Sequence, residues 1–235
     1  MTILRDHVHG LGQGTIARLL RTLTQREADA WAADWAEWAH GGQREPAGAW
    51  RTWVLMAGRG FGKTRAGAEW GARMAQRHPG ARIALVAAPA REARQVMVEG
   101  PSGLLSLRLH RSERPLFEPS RGRVLFPNGS EAQLHSGANP EGLRGPQHDF
   151  AWCDELAKWR HPQMAWDMLQ LGLRCGERPR AIVTTTPRAG CAALKGILAS
   201  ADTVLTGGAS WQNGHLPDAY GATIDRRPCS ATPCA

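Results

Sequence analysis

Residues 57–64, with the sequence AGRGFGKT, place three glycines directly before a lysine and a threonine. Glycines leave backbone N–H groups open to a ligand and tolerate positive φ, so such a run can wrap around phosphates. The lysine can reach outer phosphates as a point charge, and the threonine hydroxyl can ligate Mg²⁺. The spacing matches G-x-x-x-x-G-K-[ST] except for its first glycine. We predict a phosphate-binding loop formed by Ala57, Gly58, Arg59, Gly60, Phe61, Gly62, Lys63 and Thr64.

Two adjacent carboxylates end an apolar run further along the chain, in FAWCDE (150–155). Asp154 can join a Mg²⁺ shell, and Glu155 can polarise a water that attacks a phosphate. Adjacent acids at a strand end are also common as solvated surface groups. The glycine-rich loop upstream favours the hydrolytic interpretation, in which the cofactors are ATP and Mg²⁺.

A run of threonines in IVTTTPR (182–188) follows these carboxylates. In P-loop ATPases whose catalytic Glu is next to the Mg²⁺-binding Asp, this strand inserts beside the loop strand and its end faces the γ-phosphate. Thr184, Thr185 and Thr186 are then placed to sense hydrolysis through hydrogen bonds. The alternative is that threonines simply favour strands.

The elements that must position these groups alternate between apolar runs and helical patterns. We predict buried strands at 51–57, 81–88, 148–155, 179–187 and 202–207, with helices at 63–78 and 89–100. Asn128-Gly129 predicts an inserted β-hairpin. The pattern predicts an α/β P-loop NTPase fold, RecA/ASCE-like, with a mainly parallel sheet covered by helices on both faces.

An N-terminal helix precedes this alternation. Thr24 and Glu27 have the spacing of a capping box, and Gly41-Gly42 ends the helix. Trp31, Trp35 and Trp38 fall at i, i+4 and i+7, so they share one face of that helix. A nucleic-acid stacking platform is one use for such a stripe, but we expect core packing.

The composition favours a folded protein with a polyanionic partner. The 235 residues carry a formal net charge of +8 and the pI is about 10.1, which points toward nucleic acid. We find no signal-peptide core and no membrane-spanning run, so we expect a cytoplasmic location without membrane contact. Five cysteines lack zinc-ligand spacing, and buried or free thiols are expected.

Three segments together resemble the ATPase half of the large subunit of tailed-phage terminase, the DNA-packaging motor, especially its prophage and gene-transfer-agent forms. They are AGRGFGKTRAGAEW, NPEGLRGPQHDFAWCDELAKW and VTTTPR, and the resemblance covers roughly residues 25 to 225. It implies that Arg59, Lys63 and Thr64 lie at the nucleotide, Asp154 holds Mg²⁺ and Glu155 is the catalytic residue.

The same resemblance implies two further sites. Gln43 falls where the family often has an adenine-contacting glutamine. Arg144 falls where the family has an arginine-glycine turn near the nucleotide, with a role as a sensor or as a finger toward a neighbouring subunit; an ordinary solvated arginine is the alternative. The threonine segment 184–186 matches the motif thought to couple hydrolysis to DNA movement.

The resemblance also implies partners: double-stranded DNA, a portal protein, a small terminase subunit and further copies in a ring in the host cytoplasm. The expected division is an N-terminal helical lead-in at 1–45, a P-loop ATPase domain at 46–210 and a linker remnant with an irregular tail at 211–235. After residue 207 the carboxylates are Asp218 and Asp225, too few for the family's nuclease. We therefore expect a truncated terminase without nuclease activity, or a split gene.

Two other function classes share parts of this pattern. A helicase or remodeller core shares the sheet and the Asp-Glu pair, although it normally adds a second RecA-like domain. A small-molecule P-loop kinase shares the loop, but Glu155 beside Asp154, the inserted hairpin and the lack of an obvious arginine-rich lid weigh against it.

Overall fold

The computed structural model describes residues 22–210. Within that range, besides short 3-10 turns, the helices are α1 Gln25–Ala33, α2 Trp35–Trp38, α3 Lys63–Arg77, α4 Ala90–Glu92 with a π-helical continuation at Ala93–Val98, α5 Pro162–Gly172 and α6 Ala192–Leu198. The strands are β1 Thr52–Ala57, β2 Arg82–Ala87, β3 Leu116–Glu118, β4 Arg123–Leu125, β5 Glu131–Ser136, β6 Phe150–Asp154, β7 Arg180–Thr185 and β8 Thr203–Gly208.

All eight strands form one sheet with the order β3-β4-β5-β2-β6-β7-β1-β8. Six neighbouring strands of this order pair in parallel, namely β5, β2, β6, β7, β1 and β8. The strands β3 and β4 extend one edge in antiparallel fashion. Because β1 and β6 flank β7, the carboxyl ends of these three parallel strands meet at one edge of the sheet. This arrangement confirms the predicted P-loop fold with its mainly parallel sheet.

The predicted strands and the hairpin are confirmed, with three differences. The two hairpin arms, β4 and β5, join the main sheet because β5 pairs in parallel with β2. The short strand β3 was not predicted, since three residues of which none is buried leave little hydrophobic pattern. The helix predicted at 89–100 changes to a π-helix from Ala93 onward.

Two apolar layers cover the sheet. One lies between the sheet and α3 and contains Trp53, Trp70 and Trp152. The other lies on the opposite face and packs α5 and α6 against the strands. Gly67 lets α3 approach the sheet closely, because a Cβ there would overlap the indole of Trp152. That close approach fixes the helix that begins at the glycine-rich loop.

The N-terminal helix differs from the prediction. The capping box between Thr24 and Glu27 is confirmed. The helix, however, is interrupted at Asp34, whose carboxylate accepts a hydrogen bond from the N–H of Ala36 and caps α2. Across this break, Trp31 and Trp38 pack on each other with ring centroids 4.8 Å apart. None of the three tryptophans of this stripe is fully buried, so core packing was a wrong expectation for Trp31 and Trp38, while Trp35 packs against the edge of the core.

Cys153 is buried, and Cys175 and Cys191 are free thiols, as expected. No helix between residues 22 and 210 is long and apolar enough to cross a membrane. Residues 1–21 and 211–235, including Asp218 and Asp225, lie outside the described part of the chain. The domain division stays a prediction; residues 40–45 contact the ATPase fold directly, since Glu45 forms ion pairs with Arg73 and Arg180.

Candidate active site

The glycine-rich loop connects β1 to α3 as predicted. Gly60 has φ 78° and Gly62 has φ 90°, and both lie in the left-handed region where a side chain would be strained. Gly58 lies against Ser210, whose Oγ would be 2.5 Å from an added Cβ. The backbone angles therefore favour glycine at positions 60 and 62, and α3 begins at Lys63 directly behind the loop.

The N-terminal segment holds the loop in place. The Gln43 side chain is buried and donates hydrogen bonds to the carbonyl oxygens of Phe61 (3.0 Å) and Gly62 (3.3 Å). Its own Oε1 accepts from the N–H of His40 at 3.2 Å. The imidazole of His40 contacts the Phe61 ring edge-on, with centroids 4.3 Å apart. Gln43 thus has a positioning contact with the loop that sequence reasoning missed, and its adenine contact stays a prediction.

Lys63 is turned inward toward its own loop. Its Nζ donates to the carbonyl oxygens of Ala57 and Gly58, both at 2.9 Å, and lies 3.9 Å from Oε1 of Glu155. Burial lowers the pKa of this ammonium, while the charges of Glu155 and Asp154 act to raise it. The side chain of Lys63 is therefore bound to two carbonyl oxygens of its own loop and lies close to one carboxylate.

Asp154 lies at the buried end of β6 and is 7% exposed. Its Oδ1 accepts a hydrogen bond from Oγ1 of Thr184 at 2.7 Å, and the same threonine accepts from the indole N–H of Trp152 at 2.9 Å. Burial raises the pKa of Asp154 to about 6, although the Thr184 hydrogen bond lowers it. This carboxylate therefore lacks enough positive charge around it to offset its burial.

Glu155 is the one residue other than glycine with positive φ between residues 22 and 210, at φ 50° and ψ 44°. A left-handed residue that carries a side chain costs of order 1–3 kcal/mol, so the surrounding fold must hold it. Its N–H donates to the carbonyl oxygen of Thr184 at 2.6 Å, which anchors the turn to β7. The turn directs the carboxylate toward Lys63.

The threonine run divides its roles between the two carboxylates. Thr184 holds Asp154, as described above. Thr186 Oγ1 lies 3.1 and 3.2 Å from the two carboxylate oxygens of Glu155, and the Thr186 N–H donates to Oε2 at 3.4 Å. Lys158 Nζ lies 3.4 Å from the same Oε2. The structure therefore places two of the three threonines on the acidic pair, while Thr185 accepts a hydrogen bond from the N–H of Ala157.

An open cavity of about 670 Å³ lies over the loop. Its floor is formed by the predicted residues Arg59, Gly60, Gly62, Lys63, Thr64, Gln43 and Glu155. Its side walls were not predicted: Trp35 and Trp38 lie on one side, with Ser102 and Arg108 also contributing. The guanidinium of Arg65 lies 5.8 Å from the centroid of the Trp35 ring. The helical spacing of the tryptophans was a visible signal, but the break at Asp34 that directs them to this cavity was not recognised.

Arg144 is the predicted site residue that the structure does not bring to the loop. Its side chain is 74% exposed and lies 3.7 Å from Glu141 in a solvated ion pair. It borders a separate cavity together with Pro146, Met168 and Arg174. Arg144 does not line the cavity over the loop, so the structure gives no contact that supports a sensor role within its own subunit. A role toward a neighbouring subunit stays a prediction.

Comparisons with known proteins agree with this geometry. A family model described as "Terminase large subunit, T4likevirus-type, N-terminal" matches residues 54–197, more than half of the chain. No curated protein sequence matches.

Solved structures resemble the fold. The large terminase ATPase domain of Thermus phage P74-26 aligns with a TM-score of 0.62 and 18% identity over 80% of this chain and 87% of that one. The large terminase of the thermophilic bacteriophage D6E aligns with a TM-score of 0.62 and 13% identity, over 84% of this chain and 49% of that one. The same D6E protein in complex with ATP-gamma-S aligns with a TM-score of 0.60 and 10% identity, over 84% and 48% of the two chains.

Proposed function

The chain belongs to the family of terminase large subunits, and from this membership we propose that it is an ATP-hydrolysing motor domain that moves double-stranded DNA during genome packaging. The observation that supports hydrolysis best is the position of Glu155. Its carboxylate borders the loop cavity, 3.9 Å from the loop lysine, and is held by Thr186. A general base must be fixed within reach of the bound phosphates, and this arrangement meets that requirement.

In the proposed mechanism, the triphosphate of ATP lies along the loop, where backbone N–H groups at the start of α3 face its oxygens. Lys63 exchanges the carbonyl oxygens of Ala57 and Gly58 for phosphate oxygens. Arg59, which is exposed at the rim of the cavity, adds positive charge toward the same phosphates. These contacts stabilise the negative charge that spreads over the transferred phosphoryl group.

Glu155 then acts on water. Its carboxylate accepts a proton from the water whose oxygen attacks the γ-phosphorus, and the bond from that phosphorus to the bridging oxygen breaks, which releases ADP and phosphate. Thr186 fixes the direction of the carboxylate through two groups, its hydroxyl and its N–H. The ammonium of Lys158 lies 3.4 Å from the same carboxylate.

The residues present fit a Mg²⁺ ion. Mg²⁺ is usually held by one or two carboxylates and substrate phosphates, all of them oxygen ligands. Asp154 supplies a buried carboxylate whose pKa is raised for lack of compensating charge, and Thr64 supplies a hydroxyl at the cavity wall. When bound, the ion would neutralise charge on the phosphates.

The DNA-moving part of the proposal rests on family membership and on the net charge of +8. This chain spans 49% of the length of the D6E large terminase. We therefore propose, for the assembled motor, the partners that such a protein requires: a portal protein, a small terminase subunit and further copies of the chain in a ring.

The experiment is a steady-state ATPase assay of the purified chain with and without duplex DNA of mixed sequence. The proposal predicts Mg²⁺-dependent phosphate release that DNA increases. Phosphate transfer to a small metabolite, or release that depends on single strands rather than duplex, would instead favour the kinase or helicase classes. The Lys63→Ala variant is the matched control for contaminating ATPases.

A further inference from the structure

A second cavity, of about 600 Å³, opens at the same edge of the sheet as the active site. It lies between the segment that follows β6 and the segment that follows β7. Because β6 and β7 are parallel neighbours, both segments leave the sheet at their carboxyl ends. We name this cavity the basic cleft, and the residues that line it include Trp159, Arg160, His161, Gln163, Arg188 and Cys191.

The positive charge of the basic cleft is not offset by any carboxylate among the described residues that line it. Arg160, His161 and Arg188 are exposed and line it, and no carboxylate is among the described residues of its walls. Between residues 22 and 210, neither arginine forms an ion pair. By contrast, Arg121 and Arg123 on the hairpin side are paired with Glu118. Unpaired arginines on concave walls concentrate anions, and a guanidinium matches a phosphate in geometry.

The walls of the cleft are built from the two segments that carry the catalytic carboxylate and its partner. Arg188 follows Thr186 by two residues, and Nη1 of Arg188 donates to the carbonyl oxygen of Ala157 at 3.2 Å. Ala157 in turn follows Glu155 by two residues. The segments that carry Glu155 and Thr186 are therefore joined to each other in the cleft wall by the Arg188–Ala157 hydrogen bond.

We propose that the basic cleft binds the phosphodiester backbone of duplex DNA, with Arg160 and Arg188 as phosphate contacts, so that the nucleotide site and the DNA site share two loops. The inference rests on the proposed motor function and adds the place where the DNA binds. Contacts made to phosphates alone tolerate any base sequence, as a packaging motor requires.

The first test is the double variant Arg160→Ala/Arg188→Ala, assayed for binding to a labelled duplex of mixed sequence by fluorescence anisotropy. Each lost phosphate contact should reduce the log–log salt slope by about 0.9, so we expect a decrease of about 2 and a loss of affinity of at least about tenfold at 0.1 M salt. Arg160→Lys/Arg188→Lys keeps the charge and should retain most of the affinity. Arg174→Ala/Arg178→Ala removes the same charge from exposed residues elsewhere and should change the slope less.

The second test uses Cys191, a half-buried thiol in the cleft wall, as a reporter. Duplex DNA should slow its alkylation, measured peptide by peptide by mass spectrometry, while Cys175 outside the cleft reacts at an unchanged rate. Equal duplex affinity in the parent and the Arg160→Ala/Arg188→Ala variant, or an unprotected Cys191, would overturn the proposal. So would a variant with slower phosphate release and unchanged duplex affinity, since the cleft would then serve the product phosphate.

ATP turnover without DNA separates this inference from the proposed function. The single variant Arg160→Ala should retain the basal turnover of the parent, because Arg160 does not line the loop cavity and the hydrogen bond to Ala157 comes from Arg188. A parent that binds DNA through the cleft but does not hydrolyse ATP would contradict the proposed function and leave the cleft assignment intact. A parent that hydrolyses ATP but whose DNA affinity is insensitive to the cleft would contradict only the cleft assignment.

Discussion

Thr186 holds the carboxylate of Glu155 through both its hydroxyl and its backbone N–H, with the hydroxyl 3.1 and 3.2 Å from the two carboxylate oxygens. Glu155 has left-handed backbone angles, and Thr186 follows the end of the neighbouring strand β7. The direction of the proposed general base is therefore set by a different loop from the one that carries it. We therefore expect hydrolysis to depend on the position of the segment after β7.

Thr186→Ala tests that dependence. Loss of a hydrogen bond to a charged group is worth about 1.5–3 kcal/mol, so we expect kcat for ATP hydrolysis to fall by about ten- to a hundredfold. ATP affinity should stay near the parent value, because Thr186 does not line the loop cavity. Thr186→Ser keeps the hydroxyl and should restore most of the turnover. Equal kcat in Thr186→Ala and the parent would show that the contact has no catalytic effect.

Lys63→Ala tests the nucleotide-binding assignment of the loop. The variant loses the charge that meets the outer phosphates, and charge-assisted contacts of this kind are about twice as strong as neutral ones. We expect affinity for a fluorescent ATP analogue to fall at least about tenfold, measured by titration. Lys158→Ala, which removes a lysine outside the loop, should bind the analogue like the parent. Equal affinity in Lys63→Ala would contradict the assignment.

The aromatic wall of the loop cavity gives an optical prediction. Trp35 and Trp38 border the space above the loop, so bound nucleotide should change their intrinsic fluorescence. We expect ATP to quench the emission of the parent and the quench to shrink in Trp38→Phe or Trp35→Phe. Trp166→Phe, a change in the core layer on the opposite face, is the matched control. A fluorescence quench of the same size in all three variants would show that the adenine of bound ATP does not lie beside Trp35 and Trp38.

His148 gives a prediction for the pH dependence of stability. It is 4% exposed, and burial, with His135 and Arg82 nearby, lowers its pKa to about 4. In the unfolded chain it takes up a proton below about pH 6.5. Unfolding therefore binds a proton between these values, and stability is lost as pH falls from about 6.5 to about 4.

The size of that effect follows from linkage. Between pH 7 and pH 5, His148 should reduce the free energy of unfolding by about 2 kcal/mol. In urea denaturation, the free energy of unfolding of His148→Asn should therefore fall between pH 7 and pH 5 by about 2 kcal/mol less than that of the parent. His78→Asn, an exposed change, should behave like the parent. An identical pH dependence in His148→Asn would show that the imidazole is not held neutral in the folded state.

Much of this fold could be predicted because its signals are local. In the loop from Ala57 to Thr64, Gly60 and Gly62 stand where the backbone has positive φ, and the strand pattern places Asp154 beside the threonine run. These relationships follow from parallel strands with carboxyl ends at one edge. The order of the strands and motifs in the sequence was therefore sufficient to predict that Lys63, Glu155 and Thr186 lie at the same edge of the sheet.

Other features depend on tertiary contacts that no local pattern reveals. Asp34 interrupts a helix that the tryptophan spacing predicts to be continuous, because its side chain caps a new turn. Gln43 turns inward to two loop carbonyls. Arg144 lies in a turn shortly before β6 in the sequence, yet its side chain borders a separate surface cavity. The basic cleft combines two loops that are about 30 residues apart in the printed sequence.

The most direct measurement of the central claim is ATP turnover and ATP binding in Glu155→Gln. The amide keeps the shape and much of the hydrogen bonding to Thr186, but it cannot accept the proton of water. General-base assistance is typically worth about 10²–10⁴ in rate, so turnover should fall by that factor while affinity for ATP remains near that of the parent. A variant that binds ATP and retains most of the parent turnover would contradict the assignment of Glu155 as the hydrolytic residue.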